Sequence, residues 1–71
     1  MHVLTGPRST QEQLGNLMEL SGLMELPLLH NSEGALMDAT TLYRAAGWDL
    51  CPLSAADVGI AEAYGLLIKD L

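Results

Sequence analysis

The sequence predicts a mainly α fold, a small three-helix domain spanning residues 9–71 behind a short lead-in at residues 1–8. Three helix-start signals, the last of them followed by apolar residues at helical spacing, are the main observation. The composition agrees, because 49% of the residues are hydrophobic whereas only 4% are aromatic. Only three prolines occur and no low-complexity stretch separates two parts of the chain, which predicts a single domain. A short β-hairpin around residues 25–37 is compatible with the pattern.

The first predicted helix begins at a capping box. Ser9 and Glu12 stand three residues apart, the spacing at which an N-cap hydroxyl and a Glu side chain satisfy each other's backbone N–H groups. A helix from Thr10 to Leu20 follows from this start. Ser21 and Gly22 then separate two copies of Leu-Met-Glu-Leu, and they predict a break or bend at that point.

The middle of the chain carries the hairpin and the second predicted helix. Pro27 is unsuited to a helix interior, and the polar residues 30–34 are typical of a turn. Asp38 is a good N-cap for a helix over residues 39–46. Gly47 stands where such a helix would end in the left-handed conformation.

The third predicted helix occupies the C-terminal part of the chain. Residues 54–57 resemble a capped start, with Asp57 near the positive end of the helix dipole. Apolar residues then recur at i, i+4, i+7 and i+11, which predicts a helix running nearly to the end. These residues are Ile60, Tyr64, Leu67 and Leu71.

Charge and size constrain the function classes. Three basic and nine acidic residues give a formal net charge of −6, which argues against binding to a nucleic-acid backbone. A domain of this length buries only about 60% of the surface of its unfolded chain, so its apolar residues exceed what a core can hide. Cys51 is the single cysteine, and no disulfide within the chain can compensate. The sequence therefore predicts a homo-oligomer or a protein partner. Solubility is the favoured explanation of the acidic surface, and complementarity to a basic partner surface is the alternative.

Candidate chemistry is sparse in this sequence. A Cys51 nucleophile would need His30 as its base, and no local pattern pairs these two residues, so a buried structural thiol is the favoured interpretation. The acidic residues are spread along the chain, without a phosphate-binding loop or a zinc-ligand spacing. We therefore expect no enzyme activity, no cofactor and no metal. The chain shows neither a signal-peptide pattern nor a membrane-spanning run, which predicts a cytoplasmic protein.

Residues 31–47 resemble the start of KilA-N-type domains, which are regulatory domains of phages and viruses. The turn Asn-Ser-Glu-Gly at 31–34 and the run Met-Asp-Ala-Thr-Thr-Leu-Tyr-Arg-Ala-Ala-Gly at 37–47 carry the resemblance. Asp38 stands where that family usually has Asn, a change that preserves helix capping. The resemblance implies a helix after the turn, a phage or mobile-element origin and, as the alternative function, a nucleic-acid-binding regulator. Such a regulator would require Arg8, Arg44 and Lys69 to converge on one face.

The favoured function is a small, acidic, non-enzymatic protein that binds a larger macromolecule and inhibits or regulates it, as short phage-type proteins do. The partner-binding residues should be apolar or aromatic side chains rimmed by acidic ones. The candidates are Leu23, Met24, Leu28, Tyr43 and Trp48, with Glu19, Glu25 and Asp49 at the rim. Because aromatic anchors dominate interfaces, we expect Trp48→Ala to weaken binding more than the loss of any single acid.

Overall fold

The computed structural model describes residues 2–29 and 36–71 and shows an α/β fold. Two α-helices pack on a three-stranded parallel sheet. In chain order the elements are β1 (His2–Thr5), α1 (Gln11–Met24), β2 (Thr41–Arg44), a 3-10 turn (Trp48–Leu50), α2 (Pro52–Ala63) and β3 (Leu67–Asp70). The first strand lies within the segment that the sequence assigned to a lead-in.

The predicted three-helix, mainly α fold was wrong. The second predicted helix, residues 39–46, contains the central strand β2, whose Thr-Leu-Tyr-Arg sequence suits a strand that is paired on both sides. The third predicted helix ends at Ala63, because Gly65 adopts a positive φ of 75° and redirects the chain into β3. The turn of the predicted hairpin, residues 30–34, lies outside the described residues. On either side of it, Leu28 pairs in parallel with Leu4 and residues 36–37 belong to a 3-10 turn, so the described flanks do not form the predicted hairpin around residues 25–37.

The sheet has a doubly wound arrangement. The order of the strands is β1-β2-β3, and all of them are parallel. On the other edge of β1, the Leu4 N–H donates to the Pro27 carbonyl at 2.9 Å and its carbonyl accepts from the Leu29 N–H at 2.8 Å. The chain thus runs from β1 to one side, then crosses back to form β2 on the other side. The direction in which the chain adds segments to the sheet therefore reverses between β1 and β2, and α/β sheets of this kind usually bind their ligands at such a point.

Successive side chains of a strand point to opposite sides of the sheet, so apolar residues form a core on each side. Val3 and Leu42 point toward α2 and pack with Val58. The next residue of β1, Leu4, points to the opposite side and packs with Leu17 of α1. The α2 core is the larger of the two, with Ala61, Leu29, Leu36 and Ala39 also buried in it.

Helix α1 is longer than predicted and starts one residue later. Its N-cap is Thr10, whose hydroxyl accepts the Gln13 N–H at 3.1 Å, while the Gln13 side chain accepts the Thr10 N–H at 3.3 Å. The predicted break at residues 21–22 was wrong, since the helix continues to Met24. It ends at Glu25, which has a φ of 55° and donates its N–H to the Gly22 carbonyl.

The N-cap of helix α2 lies three residues before the predicted capped start at Ser54. Cys51 is its N-cap and Pro52 its first residue, a position where the missing N–H of proline costs nothing. Asp57 consequently lies inside the helix and is buried, not at the dipole end that the sequence suggested. Among the described residues no helix is long and apolar enough to cross a membrane.

Candidate partner-binding site

One stripe of α1 combines apolar residues and amides along the whole helix. Its members recur at steps of three and four residues, the spacing that keeps them on one helical face. They are Gln13, Asn16, Leu17, Leu20, Leu23 and Met24. Leu17 is buried against the sheet and Leu20 is half-buried. Leu23 and Met24 remain 76% and 44% exposed, so the C-terminal end of the stripe has no partner in the described structure.

A shallow depression of about 240 Å³ adjoins the N-terminal part of this stripe. It is lined by Pro7, Gln13, Asn16, Leu17, Leu20, Ala45 and Ala46. Pro7 follows β1 and Ala45 follows β2, so the depression lies at the point where the winding direction reverses. Its lining is apolar apart from two amides. The volume lies below the roughly 300–1,000 Å³ of small-molecule pockets, and it suits an inserted side chain better.

The loops that border this depression are packed closely together. A Cβ added to Gly6 would lie 2.7 Å from Leu17 Cδ1 and 2.9 Å from Ala45 Cβ. Only glycine therefore allows the loop after β1 to approach both α1 and the residue that follows β2. This close packing leaves no room for a side chain at position 6.

The α1 side of the sheet is incompletely covered. Leu4 on β1 is fully buried there, and Tyr43, its neighbour on β2, is half-buried. On β3 the residues that face the same side are Leu67, which is 57% exposed, and Lys69. Parallel sheets ordinarily have both sides covered. Among the described residues, the β3 end of this side is therefore uncovered.

The structure separates the predicted partner-binding residues into two groups and isolates the rest. Leu23, Met24, Glu19 and Glu25 lie together at the exposed C-terminal end of α1. Trp48 and Asp49 lie beyond the carboxyl end of β2. Leu28 is half-buried beside β1, and Tyr43 packs near Leu4 with its ring 5.9 Å from that of His2.

Trp48 is engaged within the chain. Its ring packs on the α2 core, and the Arg44 guanidinium carbon lies 4.2 Å from the ring centroid. Arg44 also forms a salt bridge with Asp70, which raises the pKa of Arg44 and lowers that of Asp70. Truncation of Trp48 would therefore disturb the fold as well as any interface.

A buried polar network joins β1 to α2. The Thr5 hydroxyl and Arg8 Nη2 both donate to Asp57 Oδ2, at 2.8 and 2.7 Å. Arg8 Nη1 donates to Thr5 Oγ1 and to the Gly6 carbonyl, both at 3.1 Å. Within the described residues, buried Arg8 Nε has no partner. The arginine is thus committed to an internal ion pair and holds the loop after β1 against α2.

Cys51 is buried as the sequence suggested, but its surroundings are polar. Burial by itself raises the pKa of the thiol, whereas hydrogen bonds from the Arg8 backbone N–H and the Ser9 hydroxyl lower it. The backbone and side chain of Ser54 act in the same direction, and together these donors bring the pKa to about 6.

The positions of the basic side chains bear on the alternative function, a nucleic-acid-binding regulator. Arg8 is buried beside Asp57 and Arg44 is paired with Asp70, which leaves Lys69 as the exposed basic side chain without a described salt bridge. The residues that the KilA-N resemblance assigned to a helix form β2. Across residues 2–29 and 36–71, no three His, Cys, Asp or Glu side chains are grouped as metal ligands.

Comparisons with known proteins add no relative. No protein-family model, curated protein or solved structure matches the chain.

Sequence reasoning missed the stripe and the depression. The predicted break at residues 21–22 divided the stripe, although its spacing of three and four residues is visible from Gln13 to Met24. The depression had no sequence signal, because Ala45 and Pro7 meet only through the pairing of β1 with β2.

Proposed function

We propose that this chain is a non-enzymatic, cytoplasmic protein-interaction module that regulates or inhibits the partner it binds. The observation that carries the proposal is the incomplete cover of the α1 side of its parallel sheet. Leu67 on β3 is exposed on a side where Leu4 on β1 is fully buried. A polypeptide that covers this side would complete the layer that parallel sheets ordinarily have.

The α1 stripe and its adjoining depression support a binding site that includes α1. Leu23 and Met24 supply exposed apolar surface, and the depression of about 240 Å³ has room for an anchoring side chain. An apolar anchor in a pocket surrounded by polar groups is the usual arrangement of an interface centre. Gln13 and Asn16 provide those polar groups here.

Site-specific photocrosslinking in producing cells tests this proposal. A benzophenone-bearing phenylalanine is placed at Leu23 or Asn16, and, as the matched control, at Ala56, which is exposed on α2. We expect both α1 positions to give the same discrete crosslinked protein and Ala56 to give none. Crosslinking of that protein from all three positions, or from no position, would refute the proposal.

A further inference from the structure

We infer that the partner segment is an amphipathic helix whose apolar face packs on the α1 stripe and whose flank carries Lys or Arg. This inference rests on the proposed function and specifies the chemistry of the partner at the same site.

The shape of the stripe favours a helical occupant. The stripe runs from Gln13 to Met24, a length of roughly 18 Å at 1.5 Å per residue. A helix of about three turns presents apolar residues at matching steps of three and four, so its side chains can interleave with those of α1. Of the residues along the stripe, Leu20 is half-buried and Leu23 is exposed, which leaves apolar surface for these contacts.

The charges that border the stripe require a basic flank. Glu12 and Glu19 each stand four residues before a stripe residue, Asn16 and Leu23, and are therefore their neighbours on the helix surface. Both glutamates are exposed. Residues 11–24 contain no Lys or Arg, so nothing within α1 balances these charges. A cationic flank on the partner would meet two carboxylates along one rim.

A second copy of this chain offers only Lys69 for that flank, which is one cation against two carboxylates. Its three basic residues are Arg8, Arg44 and Lys69, and the first two already form ion pairs with Asp57 and Asp70. Each copy also carries a net charge of −6, so their approach is opposed by repulsion. The charge balance therefore favours a different polypeptide.

Binding of designed peptides to the full chain tests the inference. The probes are a helical Leu/Ala peptide with a Lys flank, the same peptide with a Glu flank, and a scrambled Lys peptide that lacks an apolar face. We expect fluorescence anisotropy to show a Kd about tenfold lower for the Lys-flanked helix than for either of the others. Its affinity should fall as the salt concentration rises.

Matched variants of the chain locate the contact. We expect Leu23→Ser to raise the Kd of the Lys-flanked helix about tenfold and Glu19→Gln to raise it about threefold. The controls are Leu53→Ser and Glu62→Gln, which change exposed residues of α2 and should leave the Kd unchanged.

Several outcomes would overturn the inference. Equal affinity for the Lys and Glu flanks, equal affinity for the scrambled peptide, or no binding of any peptide would each do so. Sedimentation velocity that shows a dimer of the unmodified chain, lost in Leu23→Ser, would assign the stripe to a second copy instead. None of these peptide results decides the photocrosslinking experiment, so failure of the inference is distinguishable from failure of the proposed function.

Discussion

Arg8, in the loop after β1, and Asp57, inside α2, form a 2.7 Å ion pair, and both side chains are buried. The pair joins two segments that lie 49 residues apart in the chain. It fixes the loop that borders the depression, since Arg8 also holds the Gly6 carbonyl. A loop that borders the candidate site is thus held by a contact outside the site itself.

Removal of the Asp57 carboxylate should destabilise the fold strongly. We expect Asp57→Ala to lower the free energy of unfolding by about 3–5 kcal/mol, because Arg8 is left buried and unpaired. Urea unfolding followed by circular dichroism measures this loss. The control is Glu62→Ala on the exposed side of α2. The double change Arg8→Met with Asp57→Leu should lose less than Asp57→Ala, and a larger loss would contradict this explanation.

The Cys51 thiol should titrate well below an ordinary cysteine. Its hydrogen-bond donors place the pKa at about 6. We expect the thiolate absorbance of the folded chain, measured as the difference from Cys51→Ser, to rise with a midpoint near pH 6. A midpoint near the ordinary value of 9.0 would show that those hydrogen bonds are absent.

The same shift makes stability depend on pH. Since the pKa is lower in the folded state, the ionised thiol stabilises the fold fully only above the unfolded value of 9.0, and this contribution is lost as the pH falls through about 6. The free energy of unfolding of the unmodified chain, relative to Cys51→Ser, should therefore be larger at pH 9 than at pH 6. An unchanged difference in urea unfolding between these two pH values would contradict the prediction.

Two glycines of the N-terminal part should respond in opposite directions to alanine. Gly6→Ala places a methyl group within 2.9 Å of Leu17 and Ala45, and overpacking of this kind costs about 1–3 kcal/mol. Gly15 lies in α1 with open space around it, so Gly15→Ala should raise stability by up to about 1 kcal/mol. Thermal unfolding of both variants checks the signs, and a stabilising Gly6→Ala would show that the loop can move.

Two leucines of the α1 stripe should separate folding from binding. Leu17 is 3% exposed, and Leu17→Ala should lower the free energy of unfolding by about 2–5 kcal/mol. Leu23 is 76% exposed, and Leu23→Ala should change it by less than about 0.5 kcal/mol. Urea unfolding distinguishes them. A large loss in Leu23→Ala would mean that this side chain supports the fold and is not free for a partner.

Local features whose physical cause lies within a few residues could be predicted from the sequence. It predicted a capped helix near Thr10, because a capping box needs only an N-cap side chain and its partner three residues on. It also predicted a helix that includes Ile60. Leu23, Met24 and Glu19 also stood among its candidate contacts, since they are apolar and acidic neighbours.

The sheet, and the features that depend on it, could not be predicted from the sequence, because they arise from contacts between distant parts of the chain. The strands are four residues long and pair across dozens of intervening residues, so their local preferences could not outweigh the cap signals on either side of residues 39–46 or the helical spacing that included Leu67. The sequence predicted that Asp57 lies at the start of a helix. The fold instead places it inside α2, in an ion pair with Arg8. The composition showed an excess of apolar residues but not where they are exposed. The structure shows that one exposed apolar residue, Leu67, lies on β3, where the α1 side of the sheet is uncovered by the described residues.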